Sequence, residues 1–373
     1  MQTQHHPLKS ATVGTSRSLT SLHYSNGKPG PKVYIQAGLH ADENPGMLVL
    51  HYLRPLLQAA EDAGQIRGEI VVVPFANPIG LNQTLAMQFH GRFEFGNGQN
   101  FNRNYRDLAA MVTPLLEGKL GADADSNVAK IRAAMRSVMA KEKAVNELDS
   151  MRLTLQTLAC DADIMLDLHC DSEAILHLYI HSDQQEEGAE LARYLGSAVT
   201  MHAPASNGQP FDESASGPWA ALREAFPDAA IPMACFASTV EYRGQKDVST
   251  ELATDDAERI FTYLRAQGAV DTGSLPVRPE LPREVKDLAA TDVIRAPISG
   301  IVEYHREPGE MVREGDALVS LIDPLTNDKH TLVSGVDGLF YARNRIRFAH
   351  SDMELTFVSG DKVVRSGYLL SAR

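Results

Sequence analysis

Val33-Tyr34-Ile35-Gln36-Ala37-Gly38-Leu39-His40-Ala41-Asp42-Glu43-Asn44-Pro45-Gly46 is the stretch on which the reading of the fold turns. Its first five residues form an apolar run that reads as a buried strand. The run Met47-Leu48-Val49-Leu50-His51-Tyr52-Leu53 after it has helical spacing, with Asn44 as N-cap and Pro45 at the first helical position. His40 and Glu43 therefore sit on a strand-to-helix turn. Open α/β sheets place their ligands just beyond such strand ends. A His and a Glu held there can share one metal ion, with the third ligand much further along the chain.

The rest of the chain extends this pattern. Gly68 to Phe75 is a continuous β-branched run that reads as the next strand, as expected for a strand covered by helices on both faces. Further strands are expected at 164–169, 175–181 and 233–241, with an edge strand inside 12–24. Helical patterns fall at 127–138, 144–158, 186–195, 217–225 and 247–267. Strands alternating with helices over about 240 residues predict an α/β domain with a mixed, mostly parallel sheet. A long polar loop runs from Ala76 to Arg106, and loops of that length inside a compact domain are either functional or disordered. A proline-punctuated segment, Gly273 to Pro282, then separates this region from short alternating strands and glycine turns. The expected division is a catalytic α/β domain over 1–270, a linker over 271–287 and a small all-β domain over 288–373. In the latter, Ala296 to Val302 reads as a strand with its turn, and Ala317 to Ile322 as a strand.

Composition bounds the function. The formal net charge of −13 gives no basic footprint for nucleic acid and disfavours anionic membranes. Three cysteines, Cys160, Cys170 and Cys235, make no disulfide framework, and the polar first 22 residues lack the apolar core of a signal peptide. A cytoplasmic protein is expected, with no membrane or nucleic-acid partner and with room for a homo-oligomer.

His40 and Glu43 supply two positions of a His₂Glu set, which binds zinc and leaves a coordination position open. His169, ending the strand Ile164-Met165-Leu166-Asp167-Leu168-His169, is the natural third. Asp167, on the same side of that strand, is placed to fix the imidazole's tautomer. The plain alternative is a chance His-x-x-Glu spacing with satisfied core histidines. Glu241 closes an apolar strand in Thr239-Val240-Glu241-Tyr242-Arg243-Gly244 and is the candidate general base; alternatively it pairs with Arg243 or is solvated. Tyr242 either lines the pocket or packs in the core. Asn102 and Arg103 suit capture of a carboxylate, and Arg92 suits polarising a carbonyl, against the alternative of exposed loop arginines.

His40-x-x-Glu43, Asn102-Arg103, Asp167-Leu168-His169 and Glu241 occur in the order used by zinc carboxypeptidases of the carboxypeptidase A type. With Gly38 to Glu43 and Asn77-Pro78, the chain most resembles the succinylglutamate desuccinylase/aspartoacylase branch over roughly residues 30–265. The resemblance implies one zinc per chain on His40, Glu43 and His169, with Glu241 as base and acid. It implies Asn102 and Arg103 on a substrate carboxylate, and Arg92 on the reacting carbonyl. The implied enzyme is a zinc-dependent amidohydrolase that cleaves a linear, non-peptide amide of a small carboxylate-bearing N-acyl amino acid, by zinc-activated water and a Glu base. A metallocarboxypeptidase acting on peptides and a non-catalytic metal-binding or partner-docking protein are the alternatives. The Arg92-to-Arg103 spacing and the 107–160 helical stretch are long for the branch, and both flank the cleft. Pro297-x-x-Gly300-x-Val302 and Pro308-Gly309-x-x-Val312-x-x-Gly315-Asp316 resemble the barrel-sandwich of biotinyl and lipoyl domains. Lys329 lacks the flanking residues of a carrier lysine, so a cleft wall, lid or oligomer contact is the expected role.

Overall fold

The structure is a computed structural model that describes residues 1–204, 208–367 and 369. Nine strands form one sheet: β1 (Gln2–Pro7), β2 (Ser18–Tyr24), β3 (Lys32–Ala37), β4 (Glu69–Val73), β5 (Ile164–Asp171), β6 (His177–His181), β7 (Val199–Ala203), β8 (Phe236–Gly244) and β9 (Lys286–Asp287). Their spatial order is β1-β2-β4-β3-β5-β8-β6-β7-β9. Pairing is parallel from β4 through β3 and β5 to β8, and again from β6 through β7 to β9. It is antiparallel at β1/β2, β2/β4 and β8/β6. The fold is thus mixed α/β with a mostly parallel sheet, as the alternation of elements predicts.

Among the described residues the α-helices are α1 (Pro45–Asp62), α2 (Leu108–Leu116), α3 (Ala124–Met139), α4 (Glu147–Ala159), α5 (Gln185–Leu195), α6 (Phe211–Ala225) and α7 (Thr250–Ala266). None is long and apolar enough to cross a membrane among the described residues. Strand alternation sends side chains to opposite faces. Val33, Ile35, Leu166, Leu168, Val240 and Tyr242 pack against α1, α5 and α7. Tyr34, Val71, Met165 and Ala237 pack against α2, α3, α4 and α6. Two apolar layers thus clamp the sheet, which is why β3, β4 and β5 read as continuous apolar runs.

The sequence reading needs three corrections. The outermost strand is β1, whose alternating Gln, Thr and His residues expose one face and so carry no apolar signal; β2 lies inside it. Residues 296–302 are not one strand: Thr291–Arg295 ends before them and Gly300–Tyr304 starts within them, so the apolar run spans the turn. Helix α6 begins at Phe211 rather than Gly217, because Asp212 and Glu213 suit its first turn although Gly217 and Pro218 interrupt the helical pattern. Strand β7 was not anticipated.

The C-terminal part is all-β and antiparallel. One sheet orders Thr291–Arg295, Glu354–Gly360, Gly338–Arg343 and Met311–Val312; the other orders Lys329–Val333, Ala317–Ile322, Gly300–Tyr304 and Phe348–Ala349. Residues 368 and 370–373 of the expected 288–373 domain lie outside the described residues. A short strand from the α/β part, Glu173–Ala174, joins the first of these sheets through Arg343 and Ala342. Glu173 is held there by Arg343 (2.7 Å) and Arg347 (2.7 Å), whose guanidinium groups lie 4.9 and 4.7 Å from the Tyr304 ring. Lys329 lies in a strand and pairs with Glu303, which is not the exposed hairpin tip a carrier lysine needs.

Candidate metal centre and cavity

Strands β3 and β5 are parallel neighbours, so their C-terminal ends deliver His40 and His169 to the same edge. The chain turns sharply after β3 at Gly38, whose φ is +69° and where a Cβ would stand 2.9 Å from Met47 Sδ. The His40 loop is braced from the side by Gly91, whose carbonyl accepts from Ala41 N–H at 2.9 Å. A Cβ at Gly91 would come within 2.0 Å of Asp42 N, so this crossing requires glycine. The long 76–106 loop thereby becomes a fixed wall of the site.

His40, Glu43 and His169 are all buried, and their donor atoms lie within 4.8 Å of one another. Glu43 bridges the two rings: Oε1 is 2.9 Å from His40 Nδ1 and Oε2 is 2.7 Å from His169 Nδ1. The far nitrogens are engaged behind the site. His40 Nε2 meets Asn100 Oδ1 at 2.8 Å, and His169 Nε2 lies 3.0 Å from Asp167 Oδ2, close but poorly aligned for a hydrogen bond. Asp167 is itself held: Tyr34 O–H donates to Gln36 Oε1 (2.8 Å), and Gln36 Nε2 donates to Asp167 Oδ1 (2.9 Å).

This donor set fits zinc. The Glu43 carboxylate faces both imidazole Nδ1 atoms, at 2.9 and 2.7 Å, about half an ångström less than the ~3.3 Å expected for ligands at ~2.0–2.2 Å from a tetrahedral ion. Both rings have acceptors on their far nitrogens, which fixes Nδ1 as the lone-pair side. Without a cation the charges are balanced by protons. Burial opposes a charge on His169, but Asp167 and Glu43 overcome it and hold its pKa well above the usual histidine value. Burial, reinforced by the Arg92 charge, lowers His40 to about 4. Burial also works against ionised Glu43, yet the two histidines keep it well below the usual carboxylate range.

A cavity of about 220 Å³ opens from this triad. His40, Arg92, Asn102, Arg103, His169 and Glu241 all line it, so six residues chosen from four separate stretches meet at one place. The cavity's far wall includes Leu288, Glu354 and Phe357. Arg92 Nη1 lies 3.1 Å from Glu43 Oε1 and 3.2 Å from His40 Nδ1, against the donor atoms themselves. Arg103 is buried and donates to Asn102 O at 2.7 Å. Asn102 Oδ1 accepts from Phe211 N–H at 2.8 Å, tying the loop to the start of α6. Asn102 thus carries a structural bond besides facing the cavity. Glu241 is partly buried, and its Oε2 is enclosed without a hydrogen-bond partner. Burial and the nearby Glu43 charge raise its pKa well above the carboxylate norm. Tyr242 is buried on the opposite face of the sheet among α7 residues, which settles it as a core residue.

Sequence reasoning missed Asn100 and Gln36. Gln36 carried a signal, a single polar residue inside an apolar strand. Asn100 had none beyond its place in a polar loop.

Comparison with known proteins gives a family match over part of the chain and similar folds over nearly all of it. Residues 29–124 match the model of the succinylglutamate desuccinylase/aspartoacylase catalytic domain, a span holding His40, Glu43, Arg92, Asn102 and Arg103. No curated protein matches the sequence. Among solved structures, a family protein from Shewanella amazonensis is 28% identical, with 96% of this chain and 98% of that chain covered and a TM-score of 0.84. One from Shewanella frigidimarina is 24% identical over 96% and 97% of the two chains, with a TM-score of 0.81. The product-bound ectoine utilization protein of Ruegeria pomeroyi shares the fold at 15% identity, over 96% and 95%, with a TM-score of 0.65. The chain is thus similar to the succinylglutamate desuccinylase/aspartoacylase family, in its catalytic-domain match over residues 29–124 and in its near-complete overlap with the Shewanella amazonensis protein.

Proposed function

We propose that the protein is a zinc-dependent amidohydrolase that removes the acyl group from a small, carboxylate-bearing N-acyl amino acid or related amide. The observation that carries this is the convergence of a buried His-Glu-His donor set and an unpartnered glutamate oxygen on one small cavity. One zinc per chain would be held by His40, Glu43 and His169, with Asp167 and Asn100 fixing the imidazoles from behind. Bound there, zinc supplies a Lewis acid that polarises a carbonyl and lowers the pKa of water.

The protein's own groups do the remaining work. Glu241 Oε2 takes a proton from a water in the cavity as the water oxygen attacks the amide carbon, then delivers that proton to the departing amine nitrogen. Its raised pKa suits the second task, and a dication beside it would lower the pKa toward the first. Arg92 donates to the developing oxyanion, and Arg103 with Asn102 holds the substrate carboxylate.

A cavity of about 220 Å³ supports small amides over peptides as substrates. On this reading residues 1–270 are the catalytic domain and 271–287 the linker. Residues 288–373 are a barrel-sandwich-like domain whose Glu354 and Phe357 narrow the cleft. Three unpaired, buried cysteines support a cytoplasmic, reducing setting.

The test is metal analysis of the purified protein, then turnover of a panel of N-acyl amino acids and short peptides by the zinc-loaded enzyme. Release of free amino acid from N-acyl amino acids, lost in Glu241→Gln with zinc content unchanged, is the expected result. Turnover of peptides alone would reassign the protein as a carboxypeptidase. Full activity in Glu241→Gln would remove the glutamate from the mechanism.

A further inference from the structure

Strand β8 breaks its own alternation next to Glu241. Thr239 and Glu241 face the cavity, while Val240 and Tyr242 face the core beneath α7. A regular strand would send Arg243 to the cavity side, beside Glu241. The register instead shifts between Glu241 and Gly244, and Arg243 has a φ of +60°, a left-handed conformation that a non-glycine residue adopts only at a cost. The guanidinium is turned to the α7 face. It pairs there with Asp256, whose side chain is 4% exposed, and lies 5.8 Å from the Tyr242 ring centroid. The next residue is pinned too: Gly244 N–H donates to Asp247 Oδ2 at 2.8 Å. Glu241, two residues before Arg243, has no hydrogen-bond partner at its enclosed Oε2.

We propose that Asp256 is a positioning residue that holds Arg243 on the far face of the sheet and so keeps the Glu241 carboxylate without a salt bridge. This rests on Glu241 being the proton carrier of the proposed reaction. Backbone strain held in place by its surroundings is commonly found beside working groups, and here the strain has a direct result. Relaxing residue 243 to an extended conformation would carry a guanidinium into the cavity. A glutamate paired with arginine loses its basicity and its ability to return a proton, so the reaction would slow although the metal ligands are untouched.

The discriminating variants are Asp256→Asn and the double variant Asp256→Asn/Arg243→Gly. Asparagine keeps the shape but loses the charge that anchors Arg243. The expected result is a kcat at least roughly tenfold lower, with KM and zinc affinity within about twofold of the wild type. In the double variant the misdirected cation is gone and glycine accepts the left-handed conformation without strain, so kcat should return to within about threefold of the wild type. Simple loosening of α7 would leave the double variant as slow as the single one. A single variant with unchanged kcat, or a double variant with no recovery, overturns the proposal. If the wild type cleaves no amide, the proposed reaction fails. The positioning is then decided by a crystal structure of Asp256→Asn: Arg243 within hydrogen-bond reach of Glu241 supports it, and Arg243 unmoved refutes it.

Discussion

Replacing Asp167 by Asn should weaken zinc binding without touching a ligand. The carboxylate is wholly buried and its two oxygens have fixed tasks: Oδ1 receives Gln36 Nε2–H, and Oδ2 faces His169 Nε2. Gln36 cannot simply flip, because its carbonyl already receives the Tyr34 hydroxyl. An asparagine therefore keeps its oxygen toward Gln36 and turns its NH₂ toward His169 Nε2. Either two donors then face each other, or the imidazole moves its proton to Nδ1, the atom that should bind the metal. A hydrogen bond to a charged group is worth about 1.5–3 kcal/mol, and the poor alignment here argues for less than the top of that range. At about 1.4 kcal/mol per factor of ten, zinc affinity should fall roughly 10- to 100-fold. Competition with a chelator of known affinity, at pH 7.5, measures this directly. The metal-free variant should remain folded by circular dichroism. Zinc affinity within threefold of the wild type would refute the reasoning, since it would mean that the tautomer of His169 is not set by Asp167.

Three further outcomes follow from the same geometry. Arg92→Ala removes a half-exposed cation that leans on Glu43 and His40, so zinc affinity should rise about two- to fivefold in chelator competition while kcat falls. His40 is neutral in the folded metal-free protein because its pKa is lowered to about 4. As pH falls below 6.5 the unfolded chain takes up a proton that the folded one refuses, and stability drops by up to about 3 kcal/mol before pH 4. Urea titrations of metal-free wild type and His40→Asn should show that slope only in the wild type over pH 6.5–4.5, and parallel curves would refute the assignment. Phe357→Ala enlarges the cavity from its far wall, so bulkier N-acyl groups should gain in kcat/KM relative to small ones; an unchanged ranking would show that Phe357 does not limit substrate size.

The residues that could be read from the sequence share a property: each announces itself within its own segment. His40 and Glu43 stand where an apolar strand gives way to a helix, and His169 and Glu241 interrupt or end apolar strands. The sheet was legible for the same reason, because β3, β4 and β5 are apolar on both faces. What stayed hidden depends on where separate segments meet. Asn100 matters because its loop happens to pass behind His40. Arg92 was legible as a group for the substrate carbonyl, but its resting contact with the His40 and Glu43 ligand atoms is one that no spacing encodes. Strand β1 is polar because it lies at an edge. The left-handed residue at the end of β8 is an arginine, so the glycine signal that usually marks such a position stands one residue too late.

The short strand Glu173–Ala174 begins four residues after His169 and is woven into the C-terminal sheet. Peeling that sheet away would therefore tug on the strand that carries His169. The two parts are expected to melt together, in a single calorimetric transition, and removing zinc should make the C-terminal strands exchange their amide protons faster. Metal occupancy at residues of the α/β part would thus be readable in the strands of the C-terminal sheet.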